Sequence, residues 1–168
     1  NIFKNLKIRQ MKTIGIEIKW AIYFIVMMLS WMLIEKLSGL HDVHLDQHAI
    51  YTNFVMIPAI LVYFFALKDK RENFFGGKIT YGQAFKSGAI VTAIITIATP
   101  LTQYITSTII TPNYFENIIA YSVENNMVSL EEAQAYFNLK NYIIQSTIFT
   151  PFMGVLTTAV VSIFIKRK

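Results

Sequence analysis

The sequence predicts an all-α integral membrane bundle of four transmembrane helices. Both termini are expected in the cytoplasm, with a small helical extracytoplasmic segment between the third and fourth helices. Three observations carry this fold class. Of the 168 residues, 54% are apolar and only 15% are charged, and the mean hydropathy is +0.45; a soluble domain carries roughly 25% charge because its surface faces water. The apolar residues gather into four long runs without a broad polar face. The basic residues alternate between connections, abundant in one and sparse in the next.

The first run, Trp20 to Ile34 (WAIYFIVMMLSWMLI), is shorter than the ~20 residues that a ~30 Å hydrocarbon core demands. It crosses if the helix begins near Thr13, which sets Glu17 and Lys19 near the interface and lets Lys19 snorkel. Glu17 is then the one acidic residue associated with a span. Met11-Lys12-Thr13 before an apolar stretch resembles a signal peptide, but Ser30 to Gly39 offers no small-residue cleavage site, so a retained first helix is expected. The second run is Ala49 to Leu67, uncharged and interrupted by Pro58. The charged stretch Lys68 to Asn73 leaves it, and Gly76-Gly77 provides a turn.

Thr80-Tyr81-Gly82-Gln83 has the form of a capping box and starts a third helix at Tyr81, with Lys86 at headgroup depth. That helix runs to Thr111, and the fourth span covers Tyr142 to Ile165. The whole chain, 1–168, reads as one domain with spans at about 13–34, 49–67, 81–111 and 142–165. Pro100 and Pro151 lie inside spans, each after a Thr, where a kink is expected because a carbonyl loses its partner. Small residues recur every four positions at Ala84, Gly88, Thr92 and Thr96, and again at Thr150, Gly154, Thr158 and Ser162. Such seams let backbones approach, so helices three and four are expected to pack on one another. Asn53, Gln103 and Gln145 are expected to hydrogen-bond between helices.

Thirteen of the fifteen basic residues fall in the N-terminal segment, the loop after the second span and the tail. This places those three parts in the cytoplasm. Seven of the ten acidic residues fall in the two other loops. Topology thus accounts for the net charge of +5, and nucleic acid is not an expected partner. The long outer loop, Pro112 to Asn141, carries Asn113 as a helix cap and a second capping box at Ser129 and Glu132. It reads as a helical cap that runs directly into the fourth span.

With no cysteine in the chain, disulfides, thiolate zinc sites and Cys nucleophiles are excluded. No nucleophile motif or carboxylate pair suggests acid–base chemistry, and the Gly77-Lys78-Ile79 step lacks the Ser or Thr of a P-loop. The chain is therefore expected to be no enzyme and to hold no cofactor. His41, His44 and His48 share one face if their segment is helical, with Asp42 and Asp46 nearby. A zinc or copper site is the sharper reading of this trio and a polar outer loop the plainer one; no metal is assigned. The basic loop, with Lys68, Lys70, Arg71, Lys78 and Lys86, is the expected contact for lipid phosphate or a partner, and Arg71 has the planar fork that suits an anion.

Ala66 to Gly88 (ALKDKRENFFGGKITYGQAFKSG) resembles the signature of a bacterial membrane family known as domain of unknown function 4199. The matching positions are Arg71, Gly77, Ile79, Gln83, Ala84, Phe85 and Gly88, and the four-span layout with its long second outer loop is similar too. The resemblance implies no catalytic residues. It implies the bacterial cytoplasmic membrane and, as a partner, a membrane glycosyltransferase of the polyprenyl-phosphate sugar synthase type. On that footing the expected function is a non-catalytic accessory subunit that anchors or regulates a membrane partner through the 68–78 loop. The alternative is a small oligomeric transporter or channel for a neutral or lipidic solute, with Thr96, Thr99, Gln103, Gln145 and Thr150 along its path.

Overall fold

The first helix, α1 (Ile2–Leu37), runs well past Ile34. The extension is possible because the Glu35 carboxylate, at the outer edge of the apolar run, accepts a hydrogen bond from the indole N–H of Trp31 one turn earlier. A charge at the end of a span is tolerated when it is paired in this way. The structure is a computed structural model; it describes residues 14–167 in full and, for residues 2–13, the helical backbone only. The basic cluster Lys4, Lys7, Arg9 and Lys12, the leader-like start at Met11 and the proposed span start at Thr13 therefore lie outside the described side chains.

A tight turn follows, in which Gly39 has φ of +75°. A Cβ at that position would fall 2.6 Å from Val43 Cγ2, so glycine is required by both conformation and space. The chain then enters α2 (Leu45–Tyr51), a 3-10 turn (Thr52–Val55) and α3 (Met56–Asn73). Pro58 is the third residue of α3. Its missing N–H thus falls in the first turn, where donors have no partner within the helix.

The charged stretch Lys68 to Asn73 does not leave the second span, as the sequence suggested, but forms the last turns of α3. Its charges are met by neighbours: Asp69 accepts from Lys19, Trp20 and Asn73. The turn to α4 uses Gly76 and Gly77 at φ of +67° and +92°, the left-handed region open to glycine.

Thr80 and Gln83 form the capping box that begins α4 (Tyr81–Ile105). This helix continues through Pro100 and ends in a π turn (Thr106–Ile110). Two short helices follow, α5 (Tyr114–Glu124) and α6 (Leu130–Tyr136), the second begun by the Ser129–Glu132 capping box. Asn113 precedes α5 without a side-chain capping bond. The outer segment does not run directly into the last span. It breaks at Phe137, and Asn138 caps α7 (Leu139–Ile165) through the Asn141 N–H. Among the described residues the only β feature is an antiparallel bridge between Ile79 and Arg167.

Among the described residues, four helical stretches are long and apolar enough to cross a membrane: Ile14–Leu37, Leu45–Asn73, Tyr81–Ile110 and Leu139–Ile165. The most apolar window is 39% buried in the third but 11% in the first. Helix α4 is therefore the centre of the bundle, and α1 presents most of its apolar surface outward, as a lipid solvent allows. Leu67, Val91, Ile95, Val161 and Ile165 form the core with Ala21, Tyr63 and Ala84.

The α4–α7 contact sets threonine side chains of one helix against glycines of the other. A Cβ on Gly88 would lie 2.5 Å from Thr158 Cγ2. A Cβ on Gly154 would collide with the Thr92 side chain and fall 2.8 Å from the Tyr63 hydroxyl. Tyr63 and Thr92 share a hydrogen bond of 2.8 Å, which fixes this crowded point. Farther along, Thr99 and Thr150, each just before a proline, meet at 3.4 Å.

Gly88→Ala should therefore destabilise the protein by about 1–3 kcal/mol through overpacking, read as a fall in thermal midpoint in detergent. Adding Thr158→Ala, which removes the two atoms nearest the new methyl, should recover part of the loss.

Candidate functional site

At one end of the bundle three helices converge on Glu17. Its carboxylate is 1% exposed and is bound by Lys70 Nζ from α3 at 2.9 Å and by the Ser87 hydroxyl of α4 at 2.7 Å. Lys70 also lies over the Phe74 ring, 3.9 Å from its centre. Glu17, in the first turn of the span that begins at Ile14, is thus also the hub of a buried polar cluster. It is not alone, since Glu35 and Asp69 also lie on spanning helices. Glu17, Lys70 and Ser87 themselves line a cleft of about 380 Å³, together with Ile14, Phe74, Phe75, Gln83, Lys86 and Ile90.

The basic loop divides into inward and outward members. Lys70 is buried on Glu17. Arg71 donates from Nη1 to the Ile165 carbonyl at 3.1 Å and from Nε to Glu72 at 2.8 Å, so its fork closes the C-terminus of α7. Lys68, Lys78 and Lys86 are exposed. Lys19 reaches Asp69 across the α1–α3 contact instead of extending alone into the headgroups.

Around Arg71, the residues of the signature stretch each have a local structural role. The Gly77 N–H donates to the Arg71 carbonyl at 2.9 Å. Ile79 is buried and exchanges two backbone hydrogen bonds with Arg167, at 3.0 and 2.9 Å. Gln83 closes the capping box, Ala84 is wholly buried, Phe85 stacks on Tyr81, and Gly88 admits Thr158. The family model described as "Protein of unknown function (DUF4199)" matches residues 19–167. The chain belongs to that family. No curated protein and no solved structure matches it. With its four apolar helices, this DUF4199 chain is a multi-pass membrane protein.

At the opposite end, the turn at Gly39 folds the chain back over the end of α1. His41 Nε2 lies 3.1 Å from Glu35 Oε2, and His48 Nε2 lies 3.6 Å from the same oxygen. Tyr114 of α5 covers both imidazoles, with ring centres 5.1 Å and 5.4 Å away, and Asn117 donates to the His41 carbonyl at 2.9 Å. Burial pushes the Tyr114 phenol well above its ordinary range, so it stays protonated. His44 is exposed and stands apart from this group. The histidines therefore do not share one helical face: His41 and His48 converge on Glu35, a residue the histidine spacing did not reveal. The signal for it lay one turn before, in Trp31 four residues from Glu35.

Two of the polar residues expected between helices bond along their own helical stretch, and the third, Gln145 of α7, bonds across to α6. Asn53 donates to the Ala49 carbonyl at 2.7 Å and Gln103 to the Ser107 hydroxyl at 3.0 Å. Gln145 accepts from Tyr136 at 3.3 Å. Gln103 and Gln145 line a separate recess of about 460 Å³ with Tyr142, Ser146, Ile148 and Phe149.

Breaking the Glu17–Lys70 pair leaves a buried charge uncompensated. Glu17→Gln or Lys70→Met alone should each cost about 3–5 kcal/mol, measured by denaturation in detergent. The Glu17→Gln, Lys70→Met double variant should be markedly more stable than either single one.

Proposed function

We infer that this protein is a non-catalytic accessory subunit of the bacterial cytoplasmic membrane. It anchors or regulates a membrane partner, and its basic end is the contact. The observation that carries the reading is the division of labour in the basic loop. Arg71, Lys70, Gly77, Ile79 and Gln83 are engaged in fixing the end of the bundle, while Lys68, Lys78 and Lys86 remain outward. A rigid platform bearing mobile ammonium groups suits a phosphate or carboxylate on a neighbour.

The cleft beside Lys86 adds apolar walls from Phe74, Phe75 and Ile90 to that cationic rim. This pairing suits a lipid phosphate together with the start of its chain. A polyprenyl-phosphate glycosyltransferase, which handles such a lipid, is the partner class this chemistry accommodates. The direct contacts of Gly88 with Thr158 and of Thr99 with Thr150 favour this reading over a solute path along the α4–α7 seam.

The test is a Lys68→Gln, Lys78→Gln, Lys86→Gln variant, compared with wild type after co-purification from native membranes and in nanodiscs of phosphatidylglycerol or phosphatidylcholine. At about 1 kcal/mol per lysine, retention of the anionic lipid or partner should fall roughly a hundredfold. Thermal stability should hardly change, because all three side chains are exposed. Equal recovery of partner and of phosphatidylglycerol by the two proteins would defeat the proposal.

A further inference from the structure

Glu35, His41 and His48 each bring one ligand-type atom into a group in which all three lie within 4.8 Å of one another. We propose that they form a zinc site at the histidine end of the bundle, independent of the basic end. A tetrahedral zinc ion with bonds of ~2.0–2.1 Å holds adjacent donors roughly 3.3 Å apart. The distances from Glu35 Oε2 to the two Nε2 atoms, 3.1 Å and 3.6 Å, bracket that value.

The donor chemistry selects the metal class. Two imidazoles and one carboxylate suit a borderline cation such as zinc, whereas calcium and magnesium take oxygen donors in larger number. Three protein donors leave a fourth position for water or an external ligand. His48, whose side chain is 18% exposed against 6% for His41, stands where such a ligand would enter.

The surroundings fit a cation as well. Trp31 donates to Glu35 Oε1, which leaves Oε2 toward the imidazoles. Hydrogen bonds of this kind commonly hold metal-ligating carboxylates in place. Tyr114 and the Asn117 bond to the His41 carbonyl fix the histidine turn from above. A buried carboxylate at the edge of a hydrocarbon layer needs compensation, and a divalent ion held between it and two imidazoles provides it.

The experiment uses the full chain in detergent, stripped with a chelator and then offered zinc chloride. Wild type should retain one zinc per chain by elemental analysis and gain thermal stability with added zinc. Cobalt(II) in its place should give the strong visible absorption of a four-coordinate ion. His41→Ala, His48→Ala and Glu35→Gln should each lose zinc at the concentration that saturates wild type. Trp31→Phe should weaken binding about 10–100-fold, and His44→Ala should bind as wild type does. His48→Ala is the decisive variant, since its partly open side chain can be removed with little disturbance of packing; circular dichroism confirms that it folds. Failure of wild type to retain zinc would overturn the proposal. So would retention by His48→Ala equal to wild type, or loss in His44→Ala alone.

Discussion

The close approach of α4 and α7 governs the rest of the bundle. In lipid the hydrophobic effect does not draw helices together, so association depends on packing and on the few polar groups that meet. Here the packing is concentrated where Gly88 receives Thr158 and Gly154 receives Thr92 and Tyr63. With those two helices in contact, α3 can set Tyr63 and Leu67 against the shared core, and α1 can lie across α3 and α4. The outer faces of α1 and α3 are left apolar and exposed, with Ile22, Val26, Ile57 and Leu61 among the residues there.

Polar groups then lock the two ends of that stack. At one end Glu17 joins α1 to α3 and α4 through Lys70 and Ser87. At the other, Glu35 joins α1 to the turn before α2 through His41 and to α2 itself through His48. Each carboxylate lies near the edge of the hydrocarbon layer rather than at its middle, where the cost of a charge is highest. The pattern gives both ends of the thinly packed first helix a specific attachment that its apolar face cannot supply.

The spans were legible as runs of apolar residues, and the start of α4 as Thr80 followed three residues later by Gln83. The four-residue recurrence of small residues in α4 and α7 is equally plain in the sequence, and at two of those positions, Gly88 and Gly154, a threonine of the other helix packs on the glycine. The ends of the spans were harder. Charges at Lys68 to Asn73 look like a loop in isolation, and only their partners on α1 explain why α3 continues. The same limit hid the Glu17 cluster, whose members lie 53 and 70 residues apart in sequence. At the histidine end, spacing alone grouped His44 with its neighbours. The left-handed turn at Gly39 breaks that spacing and brings Glu35 into the group instead. Arg71 was read as an anion receptor from its chemistry, and its guanidinium meets the Glu72 carboxylate and the Ile165 carbonyl of its own chain.

The bridge between Ile79 and Arg167 has a practical side. Because two backbone hydrogen bonds tie the last described residue to the entry of α4, the tail and the glycine turn form one mechanical unit. A bulky reporter joined rigidly beyond that point would load the hinge between two membrane helices rather than hang free. A long glycine–serine tether would isolate it, since such a chain transmits little force.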